Sequence, residues 1–249
     1  MKVVWLASYP KSGNTFLRML LHNYLYGETK DTGLVSERIP DIHLHKTVLN
    51  TSSDERKLVK THFCFSWNHP YAEHTSGFIY IMRNPRDVLL SSARYLCTTS
   101  SHDELRKFSQ YFINEMGVPL VRKLRVGNWP EHVASWLSFA PKVPHLFITY
   151  EDLRMDTGKI LRSALHFIGL EPDDSRIQMA VDSCEINKAR THEIEEKKLG
   201  RIVIYNELPN NRYFVGEGKT GQSLIHIGED IEQLYKDKFG SIANLFGYE

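Results

Sequence analysis

The stretch Trp5–Leu21, WLASYPKSGNTFLRMLL, sets a lysine, a serine, a glycine and a threonine between two apolar runs. The residues leading into it, KVVWLAS, are apolar and β-branched and read as a short buried strand. Those following it place Phe16, Leu17, Leu20, Leu21 and Tyr24 at helical spacing, with Gly27 as a stop. A loop between such a strand and helix lies at the carboxyl edge of a parallel sheet, where ligands bind. The helix N-terminus offers unpaired N–H groups and a partial positive charge, which suit a phosphate. Gly13 lets the backbone approach an anion, Ser12, Asn14 and Thr15 add side-chain donors, and Lys11 adds a full charge. The natural reading is an anion cradle, and the plain alternative is a tight turn with Lys11 solvated. It is not the triphosphate loop GxxxxGK[ST], because the lysine precedes the glycine and the spacing is shorter.

The 249 residues fit one sizeable domain, so a single domain over residues 1–249 is expected. Charged residues make up 24%, hydrophobic residues 41%, and the formal net charge is +1, which argues against a disordered tail or a nucleic-acid-binding arm. An anion site must therefore be local. Cys64, Cys97 and Cys184 are widely spaced and outside any CxxC pattern, which suggests reduced packing thiols in a cytosolic protein. No apolar run approaches the ~20 residues that cross a bilayer, and a first strand at Lys2 or Val3 leaves no room for a signal peptide. The expectation is a soluble, cytoplasmic protein without a membrane or nucleic-acid partner.

Further strands are expected at RKLVKTHF, SGFIYIMRN and HLFITY. Helices are expected at PRDVLLSSARYL, with Pro85 in the first turn, and at NWPEHVASWLSFA, GKILRSALHFIGL and DSRIQMAVDSC. This alternation predicts an α/β fold with a central, mostly parallel sheet covered on both faces. Glu185–Gln222 is polar and irregular and reads as a long surface segment or lid. Within it, EIEEKKLGR reads as a solvated helix end.

YPKSGNTF resembles the 5′-phosphosulfate loop of the sulfotransferases that use 3′-phosphoadenosine 5′-phosphosulfate (PAPS), whose usual form is YPKSGTTW. LVKTHF is similar to that family's KTH segment, and RNPRDVLLS to its 3′-phosphate motif RNPxDxxxS. ITYEDL and NWPEHVASW are similar to weaker landmarks, so the likeness runs from Val3 to about Gly221. The resemblance implies an architecture related to P-loop nucleotide kinases, with PAPS as sulfuryl donor and 3′-phosphoadenosine 5′-phosphate (PAP) as product. In style the chain looks like the cytosolic and bacterial enzymes that sulfate small molecules, including those tailoring natural products.

Sulfuryl transfer, by analogy with phosphoryl transfer, builds charge on the leaving phosphate oxygen. The resemblance assigns Lys11 to that oxygen and to the 5′-phosphate, with Ser12, Gly13, Asn14 and Thr15 around it. The acceptor hydroxyl needs a base, and His62 is the candidate. Lys60 and His62 alternate around Thr61, so they point to one side of the strand, toward the sulfuryl group and the acceptor. Arg83 and Ser91 are given the 3′-phosphate by the resemblance, with arginine suited to bidentate contact. Arg86 and Asp87 read as surface or ion-pair residues. Phe16 takes the place of the family tryptophan and offers a stacking face for adenine, although it equally suits the core. The resemblance also offers Tyr150, at the end of HLFITY, and Ser183, in VDSCE, as adenine contacts.

One segment departs from the pattern. Where the family often has Arg-Lys-Gly for the 3′-phosphate, this chain has Gly216-Glu217-Gly218, leaving Gly218 and a guess at Lys219 or Arg212 for the missing charge. His43 and His45 in DIHLHK have no completed ligand set, so this stretch reads as a solvated loop. Sulfuryl transfer has less need of a divalent ion than ATP chemistry, and no metal is expected to be required. The acceptor is expected to be a small-molecule hydroxyl or phenol, with an amine as the variant, and a homodimer is the common expectation for such an enzyme. Two other readings stand beside this one: an ATP-dependent small-molecule kinase, and a non-catalytic nucleotide-binding module. The first lacks a triphosphate loop, and the second has no need of Lys60 and His62.

Overall fold

The computed structural model describes residues 1–43, 49, 55–99, 101–200, 204 and 213–248. His45 and Arg212 lie outside these described residues. Four parallel strands, β1 (Lys2–Ser8), β2 (Arg56–Thr61), β3 (Thr75–Met82) and β4 (His145–Thr149), form one sheet in the order β2-β1-β3-β4. The parallel sheet expected from the strand–helix alternation is present.

Strand β1 shows why the sheet is covered on both faces. Val3, Trp5 and Ala7 enter one core cluster and Leu6 enters the other, as a side-chain period of two requires. Helices α1 (Asn14–Tyr26), α8 (Thr157–Phe167) and α9 (Asp174–Ser183) cover the Leu6 side, beside the short α7 (Tyr150–Met155). Helices α3 (Pro85–Leu96), α4 (His102–Asn114), α6 (Trp129–Phe139) and α11 (Glu229–Leu245) contribute to the Trp5 side. The remaining helices are α2 (Thr32–Arg38), the single turn α5 (Pro119–Val121) and α10 (Ile186–Lys198).

Several expectations need correction. Tyr150 does not end a strand: Thr149 caps α7 by accepting a hydrogen bond from the Asp152 N–H, so Tyr150 opens that helix. Strand β2 stops at Thr61, which leaves His62 just past the ladder. Part of the segment read as irregular is the helix α10. The EIEEKKLGR run is solvated only in part: Lys198, Leu199 and Gly200 are exposed, but Glu193 is fully buried and Glu196 nearly so. Glu193 accepts hydrogen bonds from the N–H groups of Phe214 and Val215, and Glu196 from the N–H and hydroxyl of Thr32. A helix that buries acids by hydrogen bonding lacks the apolar stripe that periodicity detects. Helices α2, α4 and α11 also received no assignment from the sequence.

Candidate active site

The carboxyl ends of the four strands deliver the motifs to one place. Ser8 leads to the Lys11 loop, Thr61 to His62, Met82 to Arg83 and Thr149 to Tyr150. Because β1 has β2 on one side and β3 on the other, its end is a topological switch point, where a crevice opens. A cavity of about 630 Å³ lies there. Lys11, Gly13, Asn14, Thr15, Phe16, Lys60, His62, Arg83, Ser91, Tyr150, Ser183, Gly218 and Lys219 all line it. Ser12 is the one expected residue outside this lining, and it is buried beneath the loop.

The loop is built for close approach. Lys11 and Gly13 both have positive φ, 67° and 97°. At Gly13 a Cβ would lie 2.3 Å from Cδ2 of Tyr150, so the glycine admits the tyrosine ring. Helix α1 starts with Gly13 as its cap and therefore has no side chain covering its first N–H groups. Asn14 corrects the sequence reading: its amide donates inward to Leu6 O (2.8 Å) and Ser8 Oγ (3.2 Å), so its side-chain donors tie the loop to β1. Only its backbone N–H remains as a donor at the helix start.

Lys11 is not simply solvated. Its Nζ lies 4.1 Å from the Tyr95 ring centre and 4.6 Å from that of Phe214. Burial, followed by the neighbouring charges of Arg94, Arg83 and Lys60, lowers its pKa to about 7. Arg83 donates to the carbonyls of Lys11 (2.8 Å) and Lys219 (2.9 Å), and its guanidinium lies over the Tyr150 ring. It does not pair with Asp87. That carboxylate is buried and accepts the N–H groups of Gly221 and Gln222, while Arg86 pairs with Glu232. Both residues are thus internal fasteners rather than surface groups. Ser12 Oγ and Arg83 Nε are buried and have no hydrogen-bond partner among the described residues. Such orphaned donors beside a cluster of cations fit a phosphorylated ligand.

The Lys60 side of the cavity is balanced by an acid. Lys60 Nζ meets Asp41 at 2.6 Å, with both side chains largely buried. Burial raises the Asp41 pKa, but Lys60 and His62 outweigh it and hold the carboxyl below its usual range. His62 Nδ1 lies 2.7 Å from Ser8 O, so this nitrogen carries the proton and Nε2 keeps its lone pair. The His62 N–H donates to His43 Nε2, and the His62 carbonyl accepts from His132 Nε2, whose Nδ1 faces the Tyr80 hydroxyl. Burial, then the charges of Lys60 and His43, depress the His62 pKa and keep the ring neutral at physiological pH.

DIH is therefore not a solvated loop. Asp41 is buried, His43 lines the cavity, and burial lowers the His43 pKa to about 4. Asp41 also bridges the edge of β2 opposite Lys60, with Lys60 N–H donating to Pro40 O. Arg94, Tyr95, Arg154 and Phe214 are further lining residues that motif reading missed. The spacing Ser91-x-x-Arg94 on one helix was the available signal for Arg94. Ser183 is less exposed to the site than expected, since its hydroxyl donates to Ala180 O and accepts from Asn23. Lys219 contributes its carbonyl, because its ammonium is exposed and paired with Glu217 at 2.6 Å.

A family model described as "Sulfotransferase domain" matches residues 2–222. The chain belongs to the sulfotransferase family. It is an enzyme of the PAPS-dependent class that its motifs implied. Sulfotransferase 4A1 of Mus musculus is 25% identical over 259 residues, spanning 98% of this sulfotransferase and 83% of the relative. The 3-beta-hydroxysteroid sulfotransferase of Cavia porcellus is 26% identical over 255 residues, with 97% and 85% covered. Among solved structures, mouse sulfotransferase SULT7A1 complexed with PAP gives a TM-score of 0.64 at 20% identity, covering 98% of this chain and 87% of the other. Retinol dehydratase with androsterone and inactive cofactor PAP also gives 0.64, at 18% identity, with 96% and 81% covered. These structural likenesses establish the sulfotransferase fold.

Proposed function

We propose that this sulfotransferase moves a sulfuryl group from PAPS to a hydroxyl of a small-molecule acceptor, with His62 as general base and Lys11 and Lys60 as the cations of the reacting centre. The observation that carries the reading is the His62 ring, fixed through Nδ1 and neutral, in a residue that lines the same cavity as Lys11. PAPS, when bound, supplies a phosphosulfate whose bridging S–O bond breaks as the acceptor oxygen attacks sulfur.

His62 Nε2 takes the acceptor's proton, and the Ser8 carbonyl stabilises the imidazolium that forms. Lys11, charged once an anion lies beside it, stabilises the leaving 5′-phosphate oxygen. The first N–H groups of α1 hold the same phosphate. Arg83 and Ser91 serve the 3′-phosphate, and Phe16 and Tyr150 flank the base. Leu90, Val121, Leu124 and Val126 give the cavity an apolar wall, which favours an acceptor with a ring or hydrocarbon body, as in natural-product tailoring.

The test is release of PAP from PAPS with panels of phenols, alcohols and amines, run on the wild type and His62→Ala. Hydroxyl-dependent release that the variant loses is the expected result. Turnover of amines alone would reassign the acceptor class, and magnesium-dependent use of ATP without use of PAPS would favour a kinase.

A further inference from the structure

The segment Tyr213–Gln222 closes one side of the cavity, and α3 and α10 hold it in place. Arg94 donates to the carbonyls of Tyr213 (2.6 Å) and Phe214 (3.0 Å). Glu193 accepts from the next two N–H groups, and Arg190 Nε donates to Val215 O at 3.3 Å. Asp87 accepts from Gly221 and Gln222. This strap contains Gly216 and Glu217, the positions at which the family resemblance calls for arginine and lysine.

The space a side chain at 216 would take is already filled. A Cβ on Gly216 would lie 2.7 Å from Arg94 Nη2 and 3.1 Å from its Cζ. Arg94 follows Ser91 by three residues on α3, so the two share a helix face, and both line the cavity with Arg83. The carbonyls of Tyr213 and Phe214 orient the guanidinium, and Glu217 of the strap lies within its field. Its field reaches the anion loop, where it is the largest charge contribution acting on Lys11.

We propose that Arg94 supplies from helix α3 the cation for the 3′-phosphate that the Gly216-Glu217 strap lacks, and thereby sets the preference for a 3′-phosphorylated nucleotide. This rests on the PAPS reading above. A guanidinium presented from a helix serves the same bidentate role as one presented from a loop. With glycine at 216 the Arg94 head group keeps its place on the Phe214 carbonyl, whereas a Cβ there would require the guanidinium to shift.

Calorimetric titration with PAP and with adenosine 5′-phosphate separates the possibilities. The proteins are the wild type, Arg94→Gln, Arg94→Lys, and Arg94→Ala alone and combined with Gly216→Arg. Arg94→Gln keeps a donor toward the strap and removes the charge. It is expected to weaken PAP by about tenfold to a hundredfold while changing adenosine 5′-phosphate by less than about threefold. Arg94→Lys is expected to retain part of the preference, and Gly216→Arg to restore it in the Arg94→Ala background by returning the charge from the strap. Equal weakening of both nucleotides in Arg94→Gln would make Arg94 a fastener only and overturn the proposal. A wild type that binds the two nucleotides equally would overturn the PAPS reading itself, and this inference with it.

Discussion

At the Asp41 end of the cavity, Lys60 has a carboxylate at 2.6 Å and His62 is hydrogen-bonded through its ring and both main-chain groups. Around Lys11, the ammonium instead meets two aromatic rings and the charges of Arg94, Arg83 and Lys60. The first end is electrostatically complete without a ligand, and the second is completed by an anion. Groups that must keep one geometry through turnover are neutralised in advance. On the proposed function, the groups that would recognise a multiply charged cofactor repel one another in its absence, and binding would relieve the repulsion.

The sharpest way to break this contrast lies at the complete end. His62→Ala is expected to lower turnover by about 10²–10⁴ with little change in PAP binding, measured by steady-state kinetics and calorimetry. Near-wild-type turnover would remove His62 from the chemistry. Lys11→Met is expected to reduce kcat/KM by about 10²–10³ and to weaken PAP as well, because it acts on both ground and transition states. An effect confined to KM would restrict Lys11 to binding.

Asp41→Asn leaves a buried ammonium without its carboxylate, and urea unfolding at pH 7.5 should show a loss of about 3–5 kcal/mol. A loss below about 1 kcal/mol would show that the Lys60 end is not held by its pair.

The pH dependence of PAP binding sharpens the other end. Lys11 in the free protein titrates at about 7 and an anion favours its charged form. Binding above pH 7 therefore takes up a proton, and affinity falls by up to about tenfold per pH unit as pH rises. Below about pH 6 the phosphates lose charge, so affinity should peak between these limits. Calorimetry in buffers of different ionisation enthalpy reads the proton directly, and the absence of uptake at pH 8 would count against an uncharged Lys11. The smallest effect is expected at Lys219→Ala, less than about twofold on PAP affinity, because its exposed ammonium already pairs with Glu217.

The residues legible in the sequence are those that follow strand ends in contiguous motifs: Lys11, Gly13, His62, Arg83 and Ser91. A strand end fixes both position and direction, so the local pattern suffices. Asp41 and Arg154 come from segments whose own sequence is ordinary, and they reach the cavity only through tertiary approach. Arg94 sits one turn beyond a recognised motif and was passed over. Asn14 shows the opposite failure, since its place in the motif was read correctly but its side chain turned toward Leu6 O and Ser8 Oγ. Glu193 and Glu196 were misread because hydrophobic periodicity cannot register a helix face that buries carboxylates against backbone N–H groups.

The closeness of Arg94 to the place a side chain at 216 would take also bears on how this site changes over evolutionary time. A long basic side chain at 94 and any side chain at 216 compete for one volume, so the two positions should covary rather than drift independently. A lineage moving the cation from helix to strap would pass through a smaller residue at 94 before gaining one at 216. The reverse order would displace the guanidinium from the Phe214 carbonyl and loosen the strap before a replacement charge was in place.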